Sequence, residues 1–383
     1  MYTDLLIRQA SILDLETGEM EPADLYLEGG QIREMGPTLS RTARDELDGR
    51  GLILTPGLCD VHGHIFHDTG LGFIGLDPHR YHLPFGTTCV IDQGSCGADN
   101  YELFRRHVLL RTDMMCKEIL NYSRIGMYVD SLSGAGELEN LEWLDDDAFI
   151  KTLRSDPEHI LGVKVRLTPN VCPKDPERAL GRAAGLAHRL GIPLVVHPNQ
   201  AAMEDKVLFE TLQAGDVYTH CYHDSDVGIL SADGTVKTLA RHARARGVIF
   251  DTAHGLNSLA FPVLRAAMEQ DFTPDTISTD LHNGNWMGPV FDLPTTISKF
   301  LCLGMPLHTA LAKTIKEPVR VWNLTQKCVR LEVGQRADIA AFALDSSGHT
   351  YVDAAGNQLT GPYRLLPRFT VLGKRVYFPV THS

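Results

Sequence analysis

Residues 54–64, LTPGLCDVHGH, begin as an apolar, strand-like run and end on two histidines separated by one glycine. Side chains at positions i and i+2 of a strand point to the same side. His62 and His64 are therefore expected to project together from the end of this strand, and Gly63 adds no competing side chain. Imidazole is a standard zinc ligand, although an HxH on a strand end also arises by chance.

Runs of this kind recur downstream: GTTCVIDQGS, ILNYSRIGMYV, ILGVKVRL, IPLVVHPN, AGDVYTHCY, GVIFDTAHG and PDTISTDLH. Amphipathic stretches such as PERALGRAAGLAHRLG and NSLAFPVLRAAMEQ lie between most of them. The spacing averages about 31 residues, close to the repeat of an eight-unit barrel. Eight units also favour closure over an open doubly wound sheet. The expected fold class is α/β, a (β/α)8 TIM barrel.

The polar residues of these runs gather at one end. His62, His64, His197, His220, His254 and Asp280 fall near the C-terminal ends of their runs, which open onto the mouth of a parallel barrel, where active sites lie. A lone histidine there is more often a satisfied core residue. Two on consecutive strands, with HxH upstream, favour metal ligation. His223 is a rival to His220 but falls beyond its run. Lys164 sits in an otherwise apolar strand. Lysine is almost never buried unpaired, and burial lowers its pKa toward the neutral amine, which can add carbon dioxide to give a bridging carbamate. The plainer reading is an outward lysine whose stem lies along the barrel surface. Asp280 can bind metal and exchange a proton with water, or simply cap a helix. Arg166, two residues after Lys164, shares its face and could hold a substrate carboxylate bidentately, or serve a structural ion pair. His254 is a candidate hydrogen-bond donor to substrate or oxyanion, and Gln93 a weaker one. His67, His79, His82, His107, His188 and His242 read as structural or solvated.

The flanks are β-rich. DLLIRQASILD, DLYLEGGQIREMG and GRGLIL near the start, and VGQRADIAAFAL and FTVLGKRVYF near the end, alternate in the β manner, with Gly29-Gly30 as a hairpin signal. The economical arrangement is a composite β-sandwich domain, residues 1–54 plus 327–383, beside a metal-binding catalytic barrel over 55–326. The 383 residues suffice for both, and 43% hydrophobic with 22% charged residues is the mix of an ordinary folded chain.

A net charge of −12 weighs against nucleic acid as a partner. There is no basic n-region followed by an apolar core, so no signal peptide is expected, and no run long enough to span a membrane. The eight cysteines lie singly, without a CxxC pair, as expected of free thiols in a reducing cytoplasm. There is no GxGxxG after an early strand, no P-loop and no G-x-S-x-G elbow.

Taken together, TPGLCDVHGH, VKVR, VVHPN, THCYH, HG and STDLH resemble the amidohydrolase superfamily in order and spacing. GTTCVIDQGSCG and VKVR point to its deacetylase-like branch near the dihydroorotases. The resemblance implies two divalent metals, with zinc expected: one held by His62, His64 and Asp280, the other by His197 and His220, with carboxylated Lys164 as the bridge. It also implies a metal-activated water as nucleophile and Asp280 as the group that moves its proton. The expected activity is hydrolysis of an amide or ester in a small, anionic acyl compound, such as an N-acetyl amino acid or O-acetyl hydroxy acid. Dihydroorotases typically carry arginine two residues after HxH, where this chain has Phe66. Deaminase branches normally lack the bridging lysine. A ring-opening cyclic amidohydrolase and a non-catalytic scaffold barrel are the alternatives; the second is disfavoured because every ligand is retained. Oligomeric state is left open.

Overall fold

Alternating apolar residues near the N-terminus form the first strands in the computed structural model of the protein, which describes residues 1, 3–67, 74–127, 136–225 and 227–379. β1 (Asp4–Leu13) pairs antiparallel with β2 (Met20–Glu28), and β2 turns into β3 (Gln31–Gly36) at Gly29 and Gly30. Both glycines have positive φ, 63° and 83°, as a two-residue hairpin of matching twist requires. β4 (Asp45–Asp48) and β5 (Ile53–Pro56) run parallel to β1.

Seven parallel strands follow, side by side in chain order: β6 (Leu58–Gly63), β7 (Thr87–Asp92), β8 (Met115–Asn121), β9 (Ile160–Arg166), β10 (Leu194–His197), β11 (Val217–Thr219) and β12 (Ile249–Asp251). Residues 276–281 complete the ring. Thr276 bridges Asp251 on one side and Leu281 bridges Gly63 on the other, both in parallel. Helices α1 (Pro78–Tyr81) to α7 (Phe261–Met268) lie in the connections: α2 (Tyr101–His107), α3 (Asp146–Ser155), α4 (Pro176–Leu190), α5 (Asp205–Thr211) and α6 (Thr238–Ala245). α8 (Leu293–Cys302) and α9 (Leu307–Trp322) come after the closing segment.

The strands are buried on both faces, which is why they read as near-continuous apolar runs. Outward positions such as Val90, Leu120, Val163, Leu194, Val196, Tyr218 and Phe250 pack with Ala179, Leu180, Ala183 and Leu186 of α4 and with other helix residues in one core. Inward positions Cys59, Cys89, Ile119, Val195, Val217 and Ile249 form a separate apolar layer, joined by Trp322 at the end of α9. The barrel interior is thus a packed floor. The polar residues stand beyond it, toward the strand ends.

β13 (Asp338–Asp345) returns beside β5. β14 (His349–Val352) and β15 (Gln358–Gly361) form a separate hairpin, while β16 (Arg364–Leu372) and β17 (Arg375–Tyr377) extend the sheet. The strand order is β17-β16-β13-β5-β1-β2-β3, with β4 beside β1. The two ends of the chain meet edge to edge, because β5 hydrogen-bonds both β1 and β13. These strands belong to one mixed hydrogen-bonded sheet, with Leu5, Ile7, Leu25, Leu27, Ile339 and Phe369 in a common apolar cluster. Among the described residues, no helix is long and apolar enough to cross a membrane.

The third barrel strand differs from expectation. It ends at Asn121, near the beginning of the run at 119–129, whose residues 128–129 lie outside the described residues. Its first half carries Lys117 and Glu118, charges that conceal a strand buried at Glu118.

Candidate metal centre

His62 and His64 reach the mouth through a local irregularity in β6. Asp60 pairs with Val90 and Gly63 with Asp92, so β6 carries one extra residue there, a β-bulge. The bulge lets Val61 join the apolar floor while His62 and His64 both line the cavity above it. A side chain at Gly63 would be crowded: an added Cβ would lie 3.2 Å from both His82 and Val90.

Each of these histidines is backed by a hydroxyl. Thr219 Oγ1 donates to Asp251 Oδ2 at 3.0 Å and lies 2.8 Å from His62 Nδ1. Ser95 Oγ donates to Asp92 Oδ2 at 2.9 Å and lies 2.8 Å from His64 Nδ1. His220 Nδ1 donates to the Ala253 carbonyl oxygen at 2.8 Å. Burial holds His62, His197 and His220 well below the usual imidazole range, and the neighbouring cations and imidazoles add to it. His62 and His220, neutral and with Nδ1 so engaged, turn an Nε2 lone pair to the cavity.

Two ligand positions rest on unusual backbone. His220 has φ 64° and Asp280 φ 53°. The left-handed turn at His220 allows Thr219 and His220, consecutive in sequence, to face inward together. Non-glycine residues in such conformations concentrate at functional sites.

Asp280 Oδ1 lies 3.0 Å from His64 Nε2 and 3.6 Å from His62 Nε2. Ligand atoms of His62, His64 and Asp280 all fall within 4.8 Å of one another. The His197 and His220 rings stand 3.9 Å apart, and His220 is 4.7 Å from His62. Lys164 is 1% exposed with its Nζ 3.5 Å from His62 Nε2, and burial lowers it to about 7, within reach of the neutral amine. Gly94 admits it: a Cβ there would meet Lys164 Cγ at 2.8 Å, and its φ of 83° suits glycine. All six expected metal ligands line one cavity of about 210 Å³, together with Arg166.

Of the expected substrate contacts, Arg166 lines the cavity but is also engaged, donating through Nε to Glu137 Oε2 at 2.8 Å and through a second nitrogen to the same oxygen. His254 does not line the cavity. Its Nδ1 donates to the Gly255 carbonyl oxygen at 2.9 Å, and its Nε2 accepts from Lys299 Nζ at 2.6 Å. Both nitrogens are thus engaged within the protein. Lys299 also donates to the carbonyl oxygens of Pro289 and of Val352 in β14. Gln93 turns inward to donate to the Val61 carbonyl oxygen at 2.7 Å and is likewise absent from the cavity wall. His223, the rival to His220, accepts from Ser225 outside the cavity.

The cavity wall holds one residue that the sequence reading passed over. His282 stands two positions after Asp280, with its ring 6.2 Å from His64. Its Nδ1 accepts from Gly284 N–H at 3.0 Å, which leaves the neutral ring's proton on Nε2 as a donor. The i+2 spacing after Asp280 was the available signal. Asn170, Asn257 and Thr168 add polar groups to the wall, and Ile74, Met127 and Leu256 add apolar ones.

No protein-family model matches the sequence. Two bacterial proteins named deacetylase are similar over most of their length. One, from Brucella anthropi, is 32% identical over 346 residues, 90% of this chain and 85% of the relative. The other, from Agrobacterium fabrum, is 31% identical over 353 residues, 91% and 85%. Among solved structures, one described as a dihydroorotase superposes with a TM-score of 0.89 at 27% identity over the whole of both chains. One described as an adenine deaminase gives 0.87 at 27%, covering 98% of this chain and 99% of that one. The chain belongs to the amidohydrolase superfamily of metal-dependent hydrolases. Within that class, proteins named deacetylase are similar to it over most of their length.

Proposed function

We propose that the protein is a binuclear metal hydrolase of deacetylase type, cleaving the amide or ester bond of small acyl compounds that bear a carboxylate. The observation that carries this reading is the convergence of four histidines, a buried lysine and an aspartate in one cavity with a guanidinium on its wall. The name shared by the full-length relatives supports it.

The donor set suits a divalent metal. His62 and His64 have Nδ1 committed behind them, so their Nε2 lone pairs face the Asp280 carboxylate at 3.0–3.6 Å, an approach that a cation between them relieves. His62, His64 and Asp280 would hold one ion, and His197 with His220 a second. Lys164, carboxylated, would contact both, and zinc is the ion this nitrogen–oxygen set favours. A bound divalent metal lowers the pKa of water and polarises a carbonyl oxygen. Asp280 would accept the proton of the attacking water and return it to the leaving group. Arg166 would receive the substrate carboxylate, and His282 Nε2–H would offer a further donor. Residues 55–326 would carry the chemistry, with 1–54 and 327–383 as its support.

Protein purified without added metal or chelator should carry about two metals per chain and hydrolyse N-acetyl amino acids or O-acetyl hydroxy acids. Lys164→Ala should lose metal and activity together. Normal metal content and normal hydrolysis in that variant would sink the reading.

Ring-opening amide hydrolysis is the second reading, favoured by the superposition on the structure described as a dihydroorotase. Phe66 opposes it. The position is apolar and buried against Phe104, 5.3 Å between rings. Parallel assays on cyclic and linear amides separate the two.

A further inference from the structure

Two buried chains of hydrogen bonds stand behind the HxH pair, and the proposed hydrolytic chemistry leaves them without a task. The first runs from His62 Nδ1 to Thr219 Oγ1 to Asp251. The second runs from His64 Nδ1 to Ser95 Oγ to Asp92. All four partners are almost inaccessible to solvent. They come from four places in the chain: Thr219 from β11, Asp251 from β12, Asp92 from β7 and Ser95 from the turn that follows it. Two unrelated sets of strands thus arrive at one arrangement, an imidazole backed by a hydroxyl that is itself backed by a carboxylate.

A hydroxyl has a single proton. Thr219 gives its proton to Asp251, and Ser95 gives its proton to Asp92. Each oxygen then presents only lone pairs to the imidazole at 2.8 Å. Only a ring carrying hydrogen on Nδ1 can complete that contact. The carboxylates hold the hydroxyls in this sense. Asp251 also accepts from Thr276 and Ser278 hydroxyls, and Asp92 from the backbone N–H groups of Ser95 and Ile65.

We infer that Thr219 and Ser95 are positioning residues that set the tautomer of His62 and His64, fixing Nδ1–H behind each ring and the Nε2 lone pair toward the cavity. The inference rests on the metal reading above and deepens it. The free tautomer equilibrium of an imidazole would leave part of the population with Nε2 protonated and unable to ligate. The relays remove that fraction and fix the ring plane. His220 receives the same polarity more cheaply, from the carbonyl oxygen of Ala253.

The test is zinc affinity of the full-length protein, measured by competition with a chromophoric chelator, in Thr219→Val and Ser95→Ala, with Thr219→Ser and Ser95→Thr as conservative replacements. Loss of an outer hydrogen-bond partner typically weakens metal binding about 10- to 100-fold. That loss is expected in the first pair, with recovery in the second. Folding of each variant is checked by its far-ultraviolet circular dichroism. As a measurement that needs no variant, 15N-histidine spectra of the zinc-loaded native protein should show His62 and His64 protonated on Nδ1 and ligated through Nε2. Ligation through Nδ1, or folded variants that bind zinc as tightly as the native chain, would overturn the inference while leaving the metal centre intact. A native protein that binds no zinc at all would instead overturn both it and the metal reading.

Discussion

Arg166 shows at the scale of one residue how a site can be half legible. Its place two positions after Lys164 puts it on the cavity wall, as the strand periodicity requires, but nothing in the sequence announces Glu137, which arrives from the connection after β8. A guanidinium already paired with a carboxylate presents its remaining N–H groups to a ligand in a fixed direction. Arg166→Ala should therefore raise KM roughly ten- to hundredfold with little change in kcat, the value of a charged hydrogen bond lost equally from ground and transition states. It should also lower stability, because Glu137 is left buried with, among the described residues, Asn121 Nδ2 as its remaining side-chain partner. Unchanged KM with lowered stability would confine Arg166 to its ion pair. The six candidate ligands, which the structure gathers in one cavity, were legible because a metal demands particular residue types at particular strand ends. His254 shared their place at a strand end but does not line the cavity. What distinguishes it is Lys299, on a helix beyond the barrel strands, and no local pattern reveals that partner.

At the scale of elements, helices and strands are tied by buried charges that sequence periodicity does not register. Asp156, at the C-terminal end of α3, accepts from Tyr101 and Arg105 of α2 and from His159 Nδ1, at 2.7–2.9 Å. Burial pushes its pKa up, but the bonds from His159, Tyr101 and Arg105 outweigh it, and the net shift is downward from 3.8. A carboxyl with a lowered folded-state pKa stabilises above its unfolded value, and that stability is lost as pH falls through the folded one. Asp156→Asn should thus lower stability by about 1.5–3 kcal/mol near neutrality, the range for hydrogen bonds to a charged group. The difference should shrink as pH falls below 3.8 and be smallest below the lower folded-state value, where the native carboxyl too becomes protonated. Urea titrations at several pH values would show it, and a difference constant down to strongly acid pH would contradict it. Strand order and polarity were readable from the apolar runs. The bulge in β6, the early start of β8 and the near absence of a ladder in 276–281 were not, since each depends on a neighbour's register.

For the whole molecule, the cavity gathers the proposed ligands from five of the eight barrel positions: β6, β9, β10, the end of β11 and the closing segment. An ion bound there would hold distant parts of the ring together and be absent from the unfolded chain. A chelator should therefore lower Tm reversibly, by an amount that grows with the logarithm of the metal concentration restored. About 4 kcal/mol is expected when free metal exceeds Kd a thousandfold. A Tm indifferent to chelator and to added zinc would mean that the site does not bind in the folded state. The composite sheet was legible in outline, because both ends of the sequence alternate in the β manner. Its joining through β5 depends on pairing between segments far apart in the chain, which no local pattern records. That joint has a consequence for how the chain comes into being. On the ribosome, β5 has emerged long before its neighbour β13 exists, so one side of β5 waits with open hydrogen-bonding groups while the entire barrel is synthesised. The earliest strands are thus among the last to be finished. Nascent chains halted short of β13 should remain open to protease at residues 1–56 even when the barrel has already closed.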